Sequence, residues 1–167
     1  MEITIRTATE RDVPLILELI RGLAEYERLG HAVTATEAGL RQSLFGTSAP
    51  SAGVEVLIAE ALGEPVGFAL FFHNFSTFVG KRGLYLEDLF VKPDWRGRGV
   101  GRLLLVRLAQ LAVERDCGRL EWAVLDWNEP AIRFYKGLGA QPMHDWTVFR
   151  VDGDALQQLA AERAETR

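Results

Sequence analysis

A strand candidate, a glycine-rich loop and a helix start follow one another in the middle of the chain, and this order constrains the fold most. Residues 85–91 read Tyr-Leu-Glu-Asp-Leu-Phe-Val, a run of aromatic and branched side chains that Pro93 ends. Residues 96–101 read Arg-Gly-Arg-Gly-Val-Gly, and an apolar helix pattern follows them. Alternate glycines let backbone N–H groups approach a ligand, and a helix N-terminus favours negative charge. The pattern predicts a phosphate site, which we interpret as a cradle for a pyrophosphate.

Two common phosphate-binding motifs do not fit this loop. A Walker A loop ends in Gly-Lys-Ser/Thr, and no Lys-Ser/Thr pair follows a glycine in this segment. A dinucleotide fingerprint has its third glycine three residues after the second, near the start of a βαβ unit. Here Gly97, Gly99 and Gly101 occupy strictly alternate positions in the middle of the chain. A glycine-rich turn without a ligand is the alternative interpretation of the loop alone.

The hydrophobic pattern predicts one domain over residues 1–167, with a mixed, mostly antiparallel α/β sheet flanked by helices. A hairpin precedes the central strand, and a parallel crossover through a helix follows it. The predicted strands are residues 2–6, 54–60, 66–72, 83–91, 119–125 and 146–151, with a connection at 74–82 and a loop at 46–53. The predicted helices are residues 9–29, 34–44, 99–116 and 128–137, and a terminal helix that Asp152 caps.

Composition and charge exclude several classes of protein. The net charge of −4 argues against general nucleic-acid binding and is compatible with a cationic substrate. No apolar run approaches the length of a membrane span, and the N-terminus has no signal-peptide core. The only cysteine, Cys117, rules out an internal disulfide and fits a reducing compartment, so we expect a cytoplasmic protein. The three histidines have no metal-ligand spacing, so we predict no metal site.

With these motifs, the chain resembles the GNAT superfamily of N-acetyltransferases, and within it the diamine (spermidine/spermine) and thialysine acetyltransferases. The loop at residues 96–101 is the superfamily motif. The closer resemblance covers residues 3–160 and depends on residues 23–27 (Leu-Ala-Glu-Tyr-Glu), 84–91 and 127–136. It implies an acyl-CoA N-acyltransferase fold, acetyl-CoA as cosubstrate, a small cationic amine as acceptor, and a homodimer.

Acetyl transfer to an amine needs a base. An alkyl ammonium has a pKa of about 10, so roughly one amine in a thousand is neutral at pH 7, a cost of about 4 kcal/mol. Glu87, on the central strand just before the loop, is the candidate base, acting directly or through water. The resemblance implies the same role, whereas the alternative is an ordinary strand carboxylate that faces solvent.

The thiolate that leaves needs a proton donor. Tyr135 is the candidate because it places a phenol on a helix that begins just after a strand end. The resemblance implies that it protonates the coenzyme sulfur, and the alternative is a core residue beside Phe134. Asn128 either contacts the coenzyme or caps its helix.

The direction of Asp88 depends on the regularity of its strand. In a regular strand Asp88 points to the sheet face opposite to Glu87. A β-bulge, which enzymes of the resembled superfamily use here, would change that direction and free N–H groups to polarise the thioester carbonyl. The predicted coenzyme-binding residues are Leu89, Phe90, Val91, Arg96, Gly97, Arg98, Gly99, Val100, Gly101, Arg102, Asn128 and Tyr135.

The resemblance also implies an acidic, aromatic amine subsite, suited to charge pairing and cation–π contact. Its residues are Glu27, Asp88, Asp145 and Trp146. Residues 141–145 look shorter than in the polyamine members and carry His144, so a polyamine, a diamine and a thialysine-like amine all stay candidates. A peptide or protein amine is the rival acceptor. A non-catalytic acyl-CoA-binding module is the alternative outside enzymes, and it would need neither Glu87 nor Tyr135.

Overall fold

The structure is a computed structural model that describes residues 2–46 and 53–162. The described chain forms two compact units, which divide after Leu125. The first unit contains a five-stranded sheet with helices, and the second contains two helices. The mixed, mostly antiparallel α/β fold predicted from the sequence is confirmed. Within the described ranges, no helix combines the length and the apolar character that crossing a membrane requires.

The strands of the first unit follow one another across the sheet in chain order, β1-β2-β3-β4-β5. All neighbours are antiparallel except β4 and β5, which are parallel and joined through α3. The elements of this unit are β1 (Ile3–Thr7), α1 (Val13–Tyr26), α2 (Glu37–Phe45), β2 (Glu55–Ala61), β3 (Glu64–Ser76), β4 (Lys81–Val91), α3 (Val100–Glu114) and β5 (Leu120–Trp122). The second unit contains α4 (Glu129–Gly137) and α5 (Gly153–Ala161).

Local chemistry determines where α1 and α2 begin. α1 accommodates Pro14 in its first turn, where the missing N–H has no helical partner to lose. α2 begins later than predicted, because Thr36 is its N-cap and its hydroxyl accepts the Gly39 N–H at 3.1 Å.

The core beneath α1 is made by alternating residues of the central strands. Its buried members are Ala8, Ile16, Leu19, Val56, Ile58, Phe68, Leu70 and Phe90. Because side chains alternate between the two faces of a strand, Leu70 lies on the α1 face and its neighbour Phe71 on the other. Because paired residues share a sheet face, the β4 partners of Leu70 and Phe71 must also lie on opposite faces.

The predicted connection at residues 74–82 was wrong, because most of it is strand. Asn74 pairs with Gly83 and Ser76 with Lys81, so the β3–β4 hairpin extends beyond the predicted strands. The missing side chain of Gly83 makes room for its partner, since a Cβ there would lie 2.3 Å from the Asn74 Oδ1. Gly80, with φ of 71°, completes the tight turn.

The predicted strand at residues 146–151 was also wrong. The segment belongs to no ladder among the described residues, and the Val148 and Phe149 side chains are 86% and 90% exposed. An alternating apolar pattern specifies a strand only where a neighbouring strand can satisfy its backbone groups. Most of the loop predicted at 46–53 lies outside the described residues.

α3 covers the sheet face opposite to α1 and holds the glycine loop at its N-terminus. The buried stripe predicted for this helix is confirmed, and its members are Leu104, Leu105, Leu108, Leu111 and Ala112. Leu104 is fully buried, whereas its neighbour Leu103 is 40% exposed.

We expect Leu104→Ala to lower the free energy of unfolding by about 2–5 kcal/mol, because it opens a cavity between α3 and the sheet. The matched control is Leu103→Ala, with the same change of side chain one residue away. We expect it to cost less than about 1 kcal/mol. Urea unfolding midpoints measure both, and equal losses would contradict the orientation of α3.

Candidate active site

β4 contains an extra residue at Glu87. Leu86 pairs with Phe71 and Asp88 pairs with Leu70, so Glu87 has no partner on β3. Paired residues share a sheet face, and Leu70 and Phe71 are on opposite faces. Leu86 and Asp88 therefore point to opposite sides, whereas a regular strand would place them on the same side. Glu87 and Asp88 both point to the α1 side, which is the bulged arrangement that the sequence left open.

This bulge gathers three carboxylates beside the end of α1. The pKa of Asp88 is raised to about 6, mainly by loss of water contact and in smaller measure by the negative charges of Glu87 and Glu27. Burial also raises the pKa of Glu27, which directly follows the last residue of α1. At pH 7 about nine in ten Asp88 side chains are ionised. The three groups form an acidic surface that a cation would neutralise.

β4 has an open edge beyond the bulge. Its ladder with β5 runs from Leu84 to Leu86 only, although β4 continues to Val91. Along residues 87–91 the edge away from β3 has no ladder partner in the part of the chain that the structure describes. An extended ligand with amide groups can use such an edge as a further strand would.

The loop after β4 has the backbone of an anion site. Gly97 and Gly99 have φ of 72° and 85°, a conformation that favours glycine. A Cβ at either position would meet no heavy atom within 4 Å, so the space beside them is open. Gly99 is the N-cap of α3, and the first helical N–H groups, from Val100 onward, have no acceptor within the helix. These features fit the pyrophosphate of an acyl-CoA.

The two loop arginines stack on aromatic rings. The Arg96 guanidinium carbon lies 4.4 Å from the centroid of Tyr26, and its Nε donates to the Val91 carbonyl oxygen at 3.0 Å. The Arg98 guanidinium carbon lies 5.0 Å from the centroid of Trp95. The sequence predicted both side chains as coenzyme contacts, and their stacking is an additional finding.

Four predicted site residues belong to the second unit. Asn128 is buried, and its side chain accepts the Ala131 N–H at 3.4 Å, which caps α4. Tyr135 is half-buried on α4, with its ring centroid 5.4 Å from that of Phe134. Asp145 and Trp146 are exposed, Trp146 by 72%. The predicted roles of all four stay predictions.

Sequence reasoning missed Tyr26. It lies in the Leu-Ala-Glu-Tyr-Glu segment, of which only Glu27 was assigned a role. An aromatic residue at the end of an amphipathic helix is normally predicted to be a core residue. Only the fold shows that Arg96, distant in sequence, stacks on this ring. Lys92 likewise pairs with Glu18 of α1 at 3.1 Å, which adds a second link between the strand end and this helix.

Comparisons with known proteins identify the family of the chain. The sequence model of the Acetyltransferase (GNAT) family matches residues 20–140. A thialysine N-epsilon-acetyltransferase of Bos taurus is 41% identical, with 96% of this chain and 98% of the relative covered. An L-ornithine N5-acetyltransferase of Arabidopsis thaliana is 36% identical, with 93% and 86% covered.

A solved structure is similar along nearly the whole chain. An integron cassette protein from the mobile metagenome of V. cholerae superposes with a TM-score of 0.80 at 28% identity. The similarity covers 97% of this chain and 99% of that protein. The match to the family model and the identity to the bovine relative confirm the resemblance drawn from the loop and the central strand. The chain belongs to the GNAT family of acetyltransferases.

Proposed function

We propose that this acetyltransferase transfers the acetyl group of acetyl-CoA to a primary amine of a small cationic molecule. The acceptor class is a diamino acid such as thialysine or ornithine, or a related diamine or polyamine. The observation that carries the proposal is the bulge in β4, which turns Glu87 and Asp88 toward Glu27 directly before the glycine loop. The named activities of the thialysine and ornithine relatives support the same acceptor class.

The carboxylates suit an acceptor with two positive charges. The reacting ammonium group must lose a proton, while a second ammonium group keeps its charge and can pair with an ionised carboxylate. Asp88 and Glu27 are the proposed partners of that second charge, and the roles of Asp145 and Trp146 stay predictions from the sequence. A neutral or acidic acceptor would leave the acidic surface unpaired, which disfavours it.

Glu87 is the proposed base. It is exposed and lies at the bulge, where its carboxylate can take a proton from the reacting ammonium through water. The amine nitrogen then has a free electron pair for attack on the acetyl carbonyl carbon, and it releases a second proton to water as the amide forms. Backbone N–H groups of Leu89 and Val91, which point to the open edge of β4, are the proposed donors that stabilise the oxygen of the reacting carbonyl.

The loop and Tyr135 are proposed to serve the coenzyme. Acetyl-CoA supplies an acetyl thioester, whose C–S bond breaks as the amide C–N bond forms. Gly97, Gly99 and the first N–H groups of α3 would hold its pyrophosphate. Tyr135 is proposed to donate its phenolic proton to the departing sulfur, and solvent then restores that proton. A homodimer and a cytoplasmic location stay predictions from the sequence.

The acceptor class is tested by thiol release from acetyl-CoA with thialysine, ornithine, spermidine, spermine, putrescine, lysine and a peptide. We expect turnover with diamino acids or diamines and little with the peptide. Turnover with the peptide alone would contradict the proposal. Binding of the coenzyme without turnover on any acceptor would also contradict it.

We expect Glu87→Gln to lower kcat about 10²- to 10⁴-fold, because the amide cannot accept the proton. The same assay across pH measures the loss. Glu121→Gln is the matched control on the neighbouring strand β5, and we expect it to retain activity. If Glu87→Gln keeps the wild-type rate and pH profile, Glu87 is not the base.

Amine binding should weaken as pH falls through about 6, the pKa of Asp88, since protonation removes its charge. One required carboxylate predicts a dissociation constant about tenfold larger one unit below that pKa. Calorimetric titration of the preferred amine between pH 5 and 7.5 measures this dependence.

Asp88→Asn should bind the amine weakly and with little pH dependence over the same range. Asp116→Asn is the control, because that carboxylate is exposed and pairs with Lys81. Its dissociation constant for the amine should change with pH as that of the wild type does. A pH dependence that survives in Asp88→Asn would show that another group is responsible.

A further inference from the structure

The Arg96 side chain connects the glycine loop to the end of α1. Its guanidinium carbon lies 4.4 Å from the Tyr26 ring centroid and 5.6 Å from that of Phe90. Its Nε donates to the Val91 carbonyl oxygen at 3.0 Å. Arg96 also directly precedes Gly97, so one side chain contacts the last residue of α1 and the end of β4 from within the loop.

The end of α1 is closely docked on that strand end. A Cβ on Gly22 would come within 2.9 Å of the Phe90 ring, so helix and strand approach more closely than another residue would allow. Gly22 and Tyr26 are four residues apart and therefore lie on the same face of the helix. Arg96 therefore contacts a helix end that has little free space beside Phe90.

The residue after Tyr26 belongs to the acidic surface. Glu27 ends the helix as its C-cap, and its charge acts on Asp88. The path from the loop to the carboxylates is therefore short. Arg96 is bonded to Gly97 and stacks on Tyr26, and Tyr26 is bonded to Glu27.

Arg98 provides an internal comparison. It carries the same charge in the same loop, but it stacks on Trp95, which lies two residues before Gly97. Its stacking contact therefore stays within the segment around the loop, whereas that of Arg96 reaches a helix distant in sequence. Substituting each arginine in turn therefore distinguishes the loss of a charge in the loop from the loss of the contact with α1.

We propose that Arg96 is a positioning residue that couples coenzyme binding to the amine subsite. When residues 97–101 hold the coenzyme, the stack of Arg96 on Tyr26 fixes the end of α1, and with it Glu27, for the amine. The inference rests on the proposed function for the identity of the two ligands. Stacking at a partly exposed site predicts a coupling of about two- to fivefold in amine affinity.

Hydrogen exchange with coenzyme A as the probe tests the link without any acceptor. The amides of Glu27, Arg28 and Leu29 donate to carbonyls of the last helical turn, so they report its order. In the wild type, saturating coenzyme A should slow their exchange about two- to fivefold. Arg96→Leu and Tyr26→Leu should remove this slowing, while Tyr26→Phe, which keeps the ring, should retain it.

Arg98→Leu is the matched control. It should require more coenzyme A for saturation but show the full slowing once saturated. In the thiol-release assay at saturating acetyl-CoA, Arg96→Leu should raise KM for the amine about two- to fivefold with little change in kcat. A slowing that persists in Arg96→Leu, or an unchanged amine KM, would overturn the coupling.

The outcomes separate this inference from the proposed function. Turnover on amines with exchange that does not depend on Arg96 overturns the coupling alone. Slowing that requires Arg96, without turnover on any amine, supports the coupling and overturns the proposed function. Failure of coenzyme A to bind the wild-type protein overturns both.

Discussion

The bulge at Glu87 is the constraint on which the rest of the site depends. Before it, β4 is paired on both edges and Leu84 and Leu86 are buried. After it, one edge has no ladder partner among the residues that the structure describes, and Asp88 lies on the side of α1. One additional residue thus converts a core strand into a strand with a free edge and a carboxylate beside it. The bulge removes some backbone hydrogen bonding between β3 and β4. Burial of apolar side chains on both faces of the sheet offsets this loss.

The acidic surface is unfavourable by itself. Burial and two like charges oppose ionisation of Asp88, as its raised pKa indicates. A bound cation reverses the sign of this interaction, because it stabilises the ionised form in the same surroundings. If the acceptor binds at this surface, as proposed, the repulsion among Glu27, Glu87 and Asp88 favours a cationic ligand, because a cation relieves it. The carboxylates lie directly before the glycine loop, so in the proposed function the cationic acceptor and the anionic coenzyme would occupy separate, oppositely charged places.

Local chemistry was predictable from the sequence, and long-range pairing was not. The glycine loop, the helix after it and the stripe from Leu104 to Ala112 follow from spacing that a few residues determine. The extent of the hairpin depends on Asn74 meeting Gly83, and the segment at residues 146–151 lacks a ladder partner among the described residues despite its pattern. The direction of Asp88 depends on which residue of β3 it opposes, which is a property of register. The stack of Arg96 on Tyr26 joins positions seventy residues apart and has no local signal.

The central claim is that the bulged carboxylates bind the cationic end of the acceptor. The most direct measurement is the pKa of Asp88 by carboxyl ¹³C NMR, with and without the preferred amine. The account predicts a value near 6 in the free protein and a fall of at least about one unit when the amine binds, because a cation favours the charged form. An Asp88 pKa that does not change at saturating amine would contradict the account, since the bound cation would then lie elsewhere.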